Sequence, residues 1–312
     1  MNKIFLHDDQ EWESLLRIVS SEQDIPVPLI EKDYWIMHVL YSLSESGFQF
    51  SMKGGTSLSK GFKIIDRFSE DIDLLIKDKD FESRSSQENK TEKAIIKRKN
   101  FFENIKEKLK VQGSVGKELN YSDDSFRNAE IPITYPTHFH VSGIKEHILL
   151  EIGFDDVEPS RKITISSWIF DYISSKGNVE DYIDNRAIDV NCYLPQYTFV
   201  EKLQAISTKF RQMIAGVEIK NFARHYYDMY KLLNNSEVQA FIGSEEYKRH
   251  KLKRFRKDDE SELTKNEAFI LSNSAHRQEV ENRYKNTEAL YYRDYPTLDE
   301  ILASIKSFLP KL

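Results

Sequence analysis

Lys53-Gly54-Gly55-Thr56-Ser57-Leu58-Ser59-Lys60, answered downstream by Arg67-Phe68-Ser69-Glu70-Asp71-Ile72-Asp73-Leu74, is the stretch on which the reading of this chain turns. Ahead of it, Phe48-Gln49-Phe50-Ser51-Met52 alternates like a short strand. That strand runs into two glycines, where a backbone can turn sharply and come close to a ligand. A helix is predicted from Ser57 to Ile65, with Thr56 or Ser57 near its start, where a hydroxyl caps a free amide or bonds a phosphate oxygen. Asp71-Ile72-Asp73-Leu74-Leu75-Ile76 reads as a second strand. Its two-residue spacing puts the carboxylates of Asp71 and Asp73 on one face. Gly54, Gly55, Thr56 and Ser57 beside paired carboxylates form the arrangement that Mg2+ ions and a substrate polyphosphate require. Taken singly, a Gly-Gly pair is usually only a turn and Asp-x-Asp only a solvated strand. Joined in one strand–turn–helix–strand unit, they point to phosphate chemistry.

Around this unit the composition sets bounds. The chain has 312 residues, enough for two domains of ordinary size. With 39% hydrophobic, 31% charged and 12% aromatic residues it is a folded globular sequence and not a disordered one. Lys and Arg number 45 against 51 Asp and Glu, a formal charge of −6. That balance excludes strong overall attraction to nucleic acid or an anionic membrane, although not a local basic patch. The single cysteine, Cys192, can form neither an intrachain disulfide nor a Cys-based zinc cluster, and one thiol suits a reducing cytoplasm. No run approaches the roughly 18 apolar residues that span a bilayer, and the start turns acidic at Asp8-Asp9 before a signal core can form. A soluble cytoplasmic protein is expected.

Eleven glycines and eight prolines leave few obligatory turns, which favours helix. Helices are predicted over 9–22, 27–46 and 93–111, strands over 128–134, 147–154, 161–166 and 187–193, and a polar loop over 77–93. From Pro195 the pattern turns helical, over 198–214, 219–234, 236–255, 278–292 and 297–308. The expected organisation is an α+β domain over 1–195 followed by an all-helical domain over 196–312. His138 and His140 fall in a predicted loop, and no two histidines stand at metal-ligand spacing on a helix face.

Gly-Gly-Thr-Ser followed by Asp-x-Asp resembles the first signature of the nucleotidyltransferase superfamily with the polymerase-β-like fold. The fuller strings from Phe50 to Lys60 and from Arg67 to Leu74 resemble the AbiEii/AbiGii toxin family of nucleotidyltransferases, as does Glu31-Lys32-Asp33-Tyr34-Trp35 upstream. The gap between glycines and Asp71 is longer than in polymerase-like members, and the toxin branch shares it. The resemblance implies a mixed sheet flanked by helices, NTP as substrate, and Mg2+ (or Mn2+) held by Asp71, Asp73 and a third carboxylate. For that third acid Glu151, alone in the apolar strand His147–Phe154, stands ahead of Asp155 or Asp156 at the strand's end, since an unpaired carboxylate is costly to bury.

Pro195–Ala205 resembles the family's lysine-bearing helix, so Lys202 is expected on the triphosphate. Arg224-His225-Tyr226-Tyr227-Asp228 resembles its Arg-x-x-x-Asp helix, in which Asp228 orients Lys202 or the nucleotide. Arg224 either faces phosphate or forms an exposed pair with Asp228 four residues on. Lys60, Arg67 and Ser69, inside the motif strings, complete the nucleotide-binding set. A toxin role is implied, with nucleotide transfer to a cellular acceptor such as the tRNA 3′ end and a separately encoded antitoxin as partner. The basic run Lys248–Lys257 is either a solvated helix face or a grip on RNA phosphates. The alternatives are a non-catalytic nucleotide- or RNA-binding protein and an enzyme that passes on the γ-phosphate.

Overall fold

Alternating apolar residues build the strands, and the pairing of those strands brings the acids together. The computed structural model describes residues 2–77, 79–81, 89–141, 143–154, 157–177, 179–219 and 221–312. In chain order come α1 (Trp12–Gln23), α2 (Val27–Glu45), β1 (Phe50–Lys53), β2 (Asp71–Ile76), α3 (Glu92–Lys108), β3 (Gly116–Lys117), β4 (Asn120–Tyr121), β5 (Asn128–Thr134), β6 (His147–Gly153), β7 (Ser160–Ile165), α4 (Trp168–Ser175) and β8 (Ala187–Tyr193). The helical part holds α5 (Pro195–Ile214), α6 (Arg224–Leu233), α7 (Ser236–Phe241), α8 (Glu245–Arg254), α9 (Glu267–Ile270), α10 (Ser274–Lys285) and α11 (Leu298–Phe308). Two compact units result: Met1–Gly61 with Phe68–Tyr193, and Phe62–Arg67 with Leu194–Leu312.

The first unit is a mixed sheet in the order β3-β5-β6-β2-β1-β8-β7, with β4 paired to β5. β2 runs antiparallel to β1 and parallel to β6. Ile72, Leu74 and Ile76 alternate with Asp71 and Asp73, so one face of β2 enters the core while the other carries the acids. α2 packs against β8 and β6. Its residues from Leu29 to Leu40 are buried almost without a break, three charged ones included.

The second unit is helical. Pro195 stands at the start of α5, where its missing N–H costs nothing, and Thr297 with Glu300 closes a capping box at the start of α11.

Four predicted helices differ markedly in extent, the one expected over 278–292 spanning Ser274–Lys285. The helix expected from Ser57 to Ile65 is one turn, Gly54–Thr56, continued by a wide turn that ends at Gly61, and Lys63 is left-handed at φ 55°. The one expected from 219 begins at Arg224, after left-handed Asn221. The one expected over 236–255 is two helices, because Gly243 between them has φ 80°. α4 was not foreseen; Ser167 caps it by accepting from the Phe170 N–H. Much of the predicted 77–93 loop lies outside the described residues.

Candidate functional site

β1 delivers the chain to Gly54, whose φ of 71° is a conformation that suits glycine. A Cβ at this position would collide with the Asp73 carboxylate. The turn therefore lies directly on the second aspartate, and the antiparallel partner of Asp73 is Lys53. Thr56 is buried and donates its hydroxyl to the Asp71 carbonyl at 2.5 Å, tying the turn to the start of β2. Ser57 is also fully buried, and the Cys192 thiol is its neighbour. Ser69 lies half-buried just ahead of β2.

The parallel β2–β6 register sets Asp73 beside Glu151 and Asp71 beside Leu149. Burial, the charges of Asp73 and Asp71, and a hydrogen bond with Asp73 push the Glu151 carboxyl up to about 8. Crowded carboxylate oxygens with surplus negative potential are hard donors that suit a divalent cation such as Mg2+. Among the described residues, however, no three acidic, His or Cys side chains are drawn tightly enough together to enclose an ion. Asp71 instead accepts from Lys145 Nζ at 2.8 Å. Asp155 and Asp156, the alternatives for the third acid, lie outside the described residues.

Three consecutive charged residues of α2 are buried, and each has its own partners. Glu31 accepts from the backbone N–H groups of His138 and Phe139 at 3.0 and 3.1 Å and from His138 Nδ1 at 2.8 Å. Lys32 donates to Glu70 at 3.3 Å and to the Lys145 carbonyl at 2.5 Å. Asp33 accepts from the Trp168 N–H at 2.7 Å and pairs with Lys60 Nζ at 2.7 Å. Burial lowers the Lys32 pKa against the pull of Glu70, and raises that of Asp33 against the pull of Lys60. Lys60, expected on the nucleotide, is thus held by Asp33 with its ammonium 4.3 Å from the Trp168 ring centre. The signal for these charges was available: an apolar helix with no polar face has nowhere to expose them.

In the second unit Asp228 is fully buried and receives a fork from Arg67, Nε to Oδ1 at 2.6 Å and Nη2 to Oδ2 at 2.8 Å. Lys202 Nζ stands 3.0 Å from the same carboxylate and 3.2 Å from His225 Nδ1. Burial alone would raise the Asp228 pKa; Arg67 and Lys202 outweigh it and hold the group well below the usual carboxylate range. Burial lowers Lys202, and burial with the Lys202 charge lowers His225. Arg67, expected on the nucleotide, is 1% exposed and engaged with Asp228, a buried carboxylate that needs a matched partner. The pairing of Asp228 with Arg224 as an exposed surface pair fails because Asp228 has no exposed surface, while Arg224 is half-buried.

The basic run is partly satisfied within its own unit. Lys248 pairs with Glu245, Arg254 with Glu201, and Lys251 donates to the Leu312 carbonyl at 2.6 Å.

The mixed sheet flanked by helices is the fold class that the resemblance implies. The family model described as "Nucleotidyl transferase AbiEii toxin, Type IV TA system" matches residues 37–304, and the chain belongs to that family. The match begins past Glu31–Trp35. Among solved structures, JHP933 from Helicobacter pylori is similar at 14% identity and a TM-score of 0.49, over 92% of each chain. A second Helicobacter pylori protein, presented as a nucleotidyltransferase, is similar at 13% identity and a TM-score of 0.39, over 90% of this chain and 96% of that one. No curated protein matches the sequence. Among the described residues no helix is long and apolar enough to cross a membrane.

Proposed function

We propose that the chain transfers a nucleoside monophosphate from an NTP to a cellular acceptor, the tRNA 3′ end above all, as the toxin of a pair with a cognate antitoxin. The observation that carries this reading is the apposition of Gly54 to Asp73, with Glu151 alongside on β6. The backbone of Gly54 and Gly55 receives the triphosphate, since glycine puts no side chain of its own between that backbone and the acids. Thr56 fixes the start of β2 and thereby the direction of Asp71. Asp71, Asp73 and Glu151 would hold Mg2+ or Mn2+, which when bound neutralises phosphate charge and acidifies the attacking hydroxyl. Asp73 or Glu151 takes the hydroxyl proton as the acceptor oxygen bonds to the α-phosphorus and the bond to pyrophosphate breaks. Lys202, oriented by Asp228, supplies positive charge to the departing pyrophosphate, as the resemblance implies.

The test is incubation of the purified chain with total tRNA, Mg2+ and each NTP labelled at the α- or γ-position. Label should reach RNA from the α-position only, and Asp71→Ala and Asp73→Ala should each abolish transfer. Label moving from the γ-position would identify a phosphotransferase instead, and transfer undiminished in Asp73→Ala would overturn the site.

A further inference from the structure

Lys145 belongs to none of the motifs, yet its ammonium is the group 2.8 Å from Asp71 Oδ1. The connection between β5 and β6 that carries it is tied down by charged residues that are themselves buried. Glu31 holds the connection at His138 and Phe139. Glu70, 3% exposed, accepts the Lys145 N–H at 2.8 Å, and Lys32, 1% exposed, donates to the Lys145 carbonyl. Lys32 and Glu70 also pair with each other. Burying three charges to fix one stretch of connecting backbone is costly unless that stretch must be held in place. What it fixes is the origin of the Lys145 side chain.

The side chain itself is differently placed from its backbone. It is 38% exposed, whereas the Asp71 side chain is 13% exposed. A half-wet ammonium on a flexible stem can leave its carboxylate at small cost. The acids on this face are relieved in two ways: Asp73 and Glu151 share a hydrogen bond, and Asp71 has Lys145.

We propose that Lys145 is a built-in counter-ion of the carboxylate site: it neutralises Asp71 before the nucleotide arrives, competes with the divalent ion for that carboxylate, and passes to the nucleotide's phosphates when the ion takes Asp71. The inference rests on the reading of Asp71, Asp73 and Glu151 as metal-holding acids.

The experiment is titration of the full chain with Mn2+ in the absence of nucleotide, following free Mn2+ by electron paramagnetic resonance. Lys145→Met should tighten Mn2+ binding about fivefold, the worth of a partly exposed ion pair. Lys145→Arg, which keeps the charge, should bind as wild type does. In an Asp71→Asn background Lys145→Met should change nothing further, because the pair is already broken. The clamping bonds are made by the Lys145 backbone, so both variants keep them. If Asp73→Asn abolishes Mn2+ binding but Lys145→Met leaves it unchanged or weaker, the counter-ion role is overturned and the metal reading stands. Mn2+ binding indifferent to Asp73→Asn overturns both.

Discussion

Arg67 and Asp228 meet as a two-point fork inside the helical unit, although 161 residues separate them in sequence. The guanidinium matches both carboxylate oxygens, and Lys202 shares one of them. Removing the fork leaves a buried carboxylate with less compensation than its burial demands. Arg67→Met should therefore cost about 3–5 kcal/mol of stability, read as a lowered urea midpoint. A variant that unfolds at the wild-type midpoint would return Arg67 to the nucleotide-binding role that the motif string suggests.

Gly54→Ala tests the contact between turn and acid. The new methyl would meet the Asp73 carboxylate, and the residue would have to hold φ 71° with a side chain. The backbone effect should cost about 1–2 kcal/mol. Displacement of Asp73 should do far more to the reaction, on the order of a hundredfold loss of transfer rate for a shift near 1 Å. Circular dichroism and the α-label assay together separate the two effects. A variant with wild-type transfer would mean that Asp73 does not depend on this turn.

Much of the candidate site was legible because it is local. The Gly54-Gly55 pair, the alternation of Asp71-Ile72-Asp73-Leu74 and the single acid in the apolar run of β6 each show themselves within a few residues. The α+β character and the long helices were legible for the same reason. What escaped is long-range. Nothing near Lys145 announces that β5–β6 pairing will deliver it to Asp71, and nothing near Arg67 announces Asp228. Helix ends were missed where a single residue adopts a left-handed backbone, as at Lys63 and Asn221. Glu31, Lys32 and Asp33 lie between the two cases: their burial follows from the apolar residues around them, but their partners do not.

Lys60 offers a discriminating case. If its task is to compensate buried Asp33, Lys60→Met should destabilise the protein by about 3 kcal/mol. Lys60→Met combined with Asp33→Asn should recover most of that, since the neutral amide oxygen still accepts from the Trp168 N–H. A residue serving only the nucleotide would behave oppositely, with full stability and a raised KM for NTP in the single variant. Thermal denaturation of the two variants beside their NTP kinetics decides.

His38 makes the last prediction, on acid stability. It is fully buried on α2; Nε2 lies 3.0 Å from the Gln112 carbonyl and Nδ1 lies 3.3 Å from Asn185 Nδ2. That pattern suits a neutral ring, which donates at Nε2 and accepts at Nδ1. Burial, followed by the proximity of His7, pulls its pKa down from 6.5 to about 4. The unfolded chain therefore binds a proton at a pH where the folded chain does not. The stability that depends on this difference is fully present above pH 6.5 and is lost as the pH falls toward 4. Between pH 7 and pH 5 this one group should remove about 2 kcal/mol. Urea denaturation at the two pH values should show a smaller pH dependence in His38→Gln than in wild type, by that amount, whatever the substitution does to stability at pH 7. Equal pH dependence in the two proteins would mean that His38 takes up its proton without unfolding.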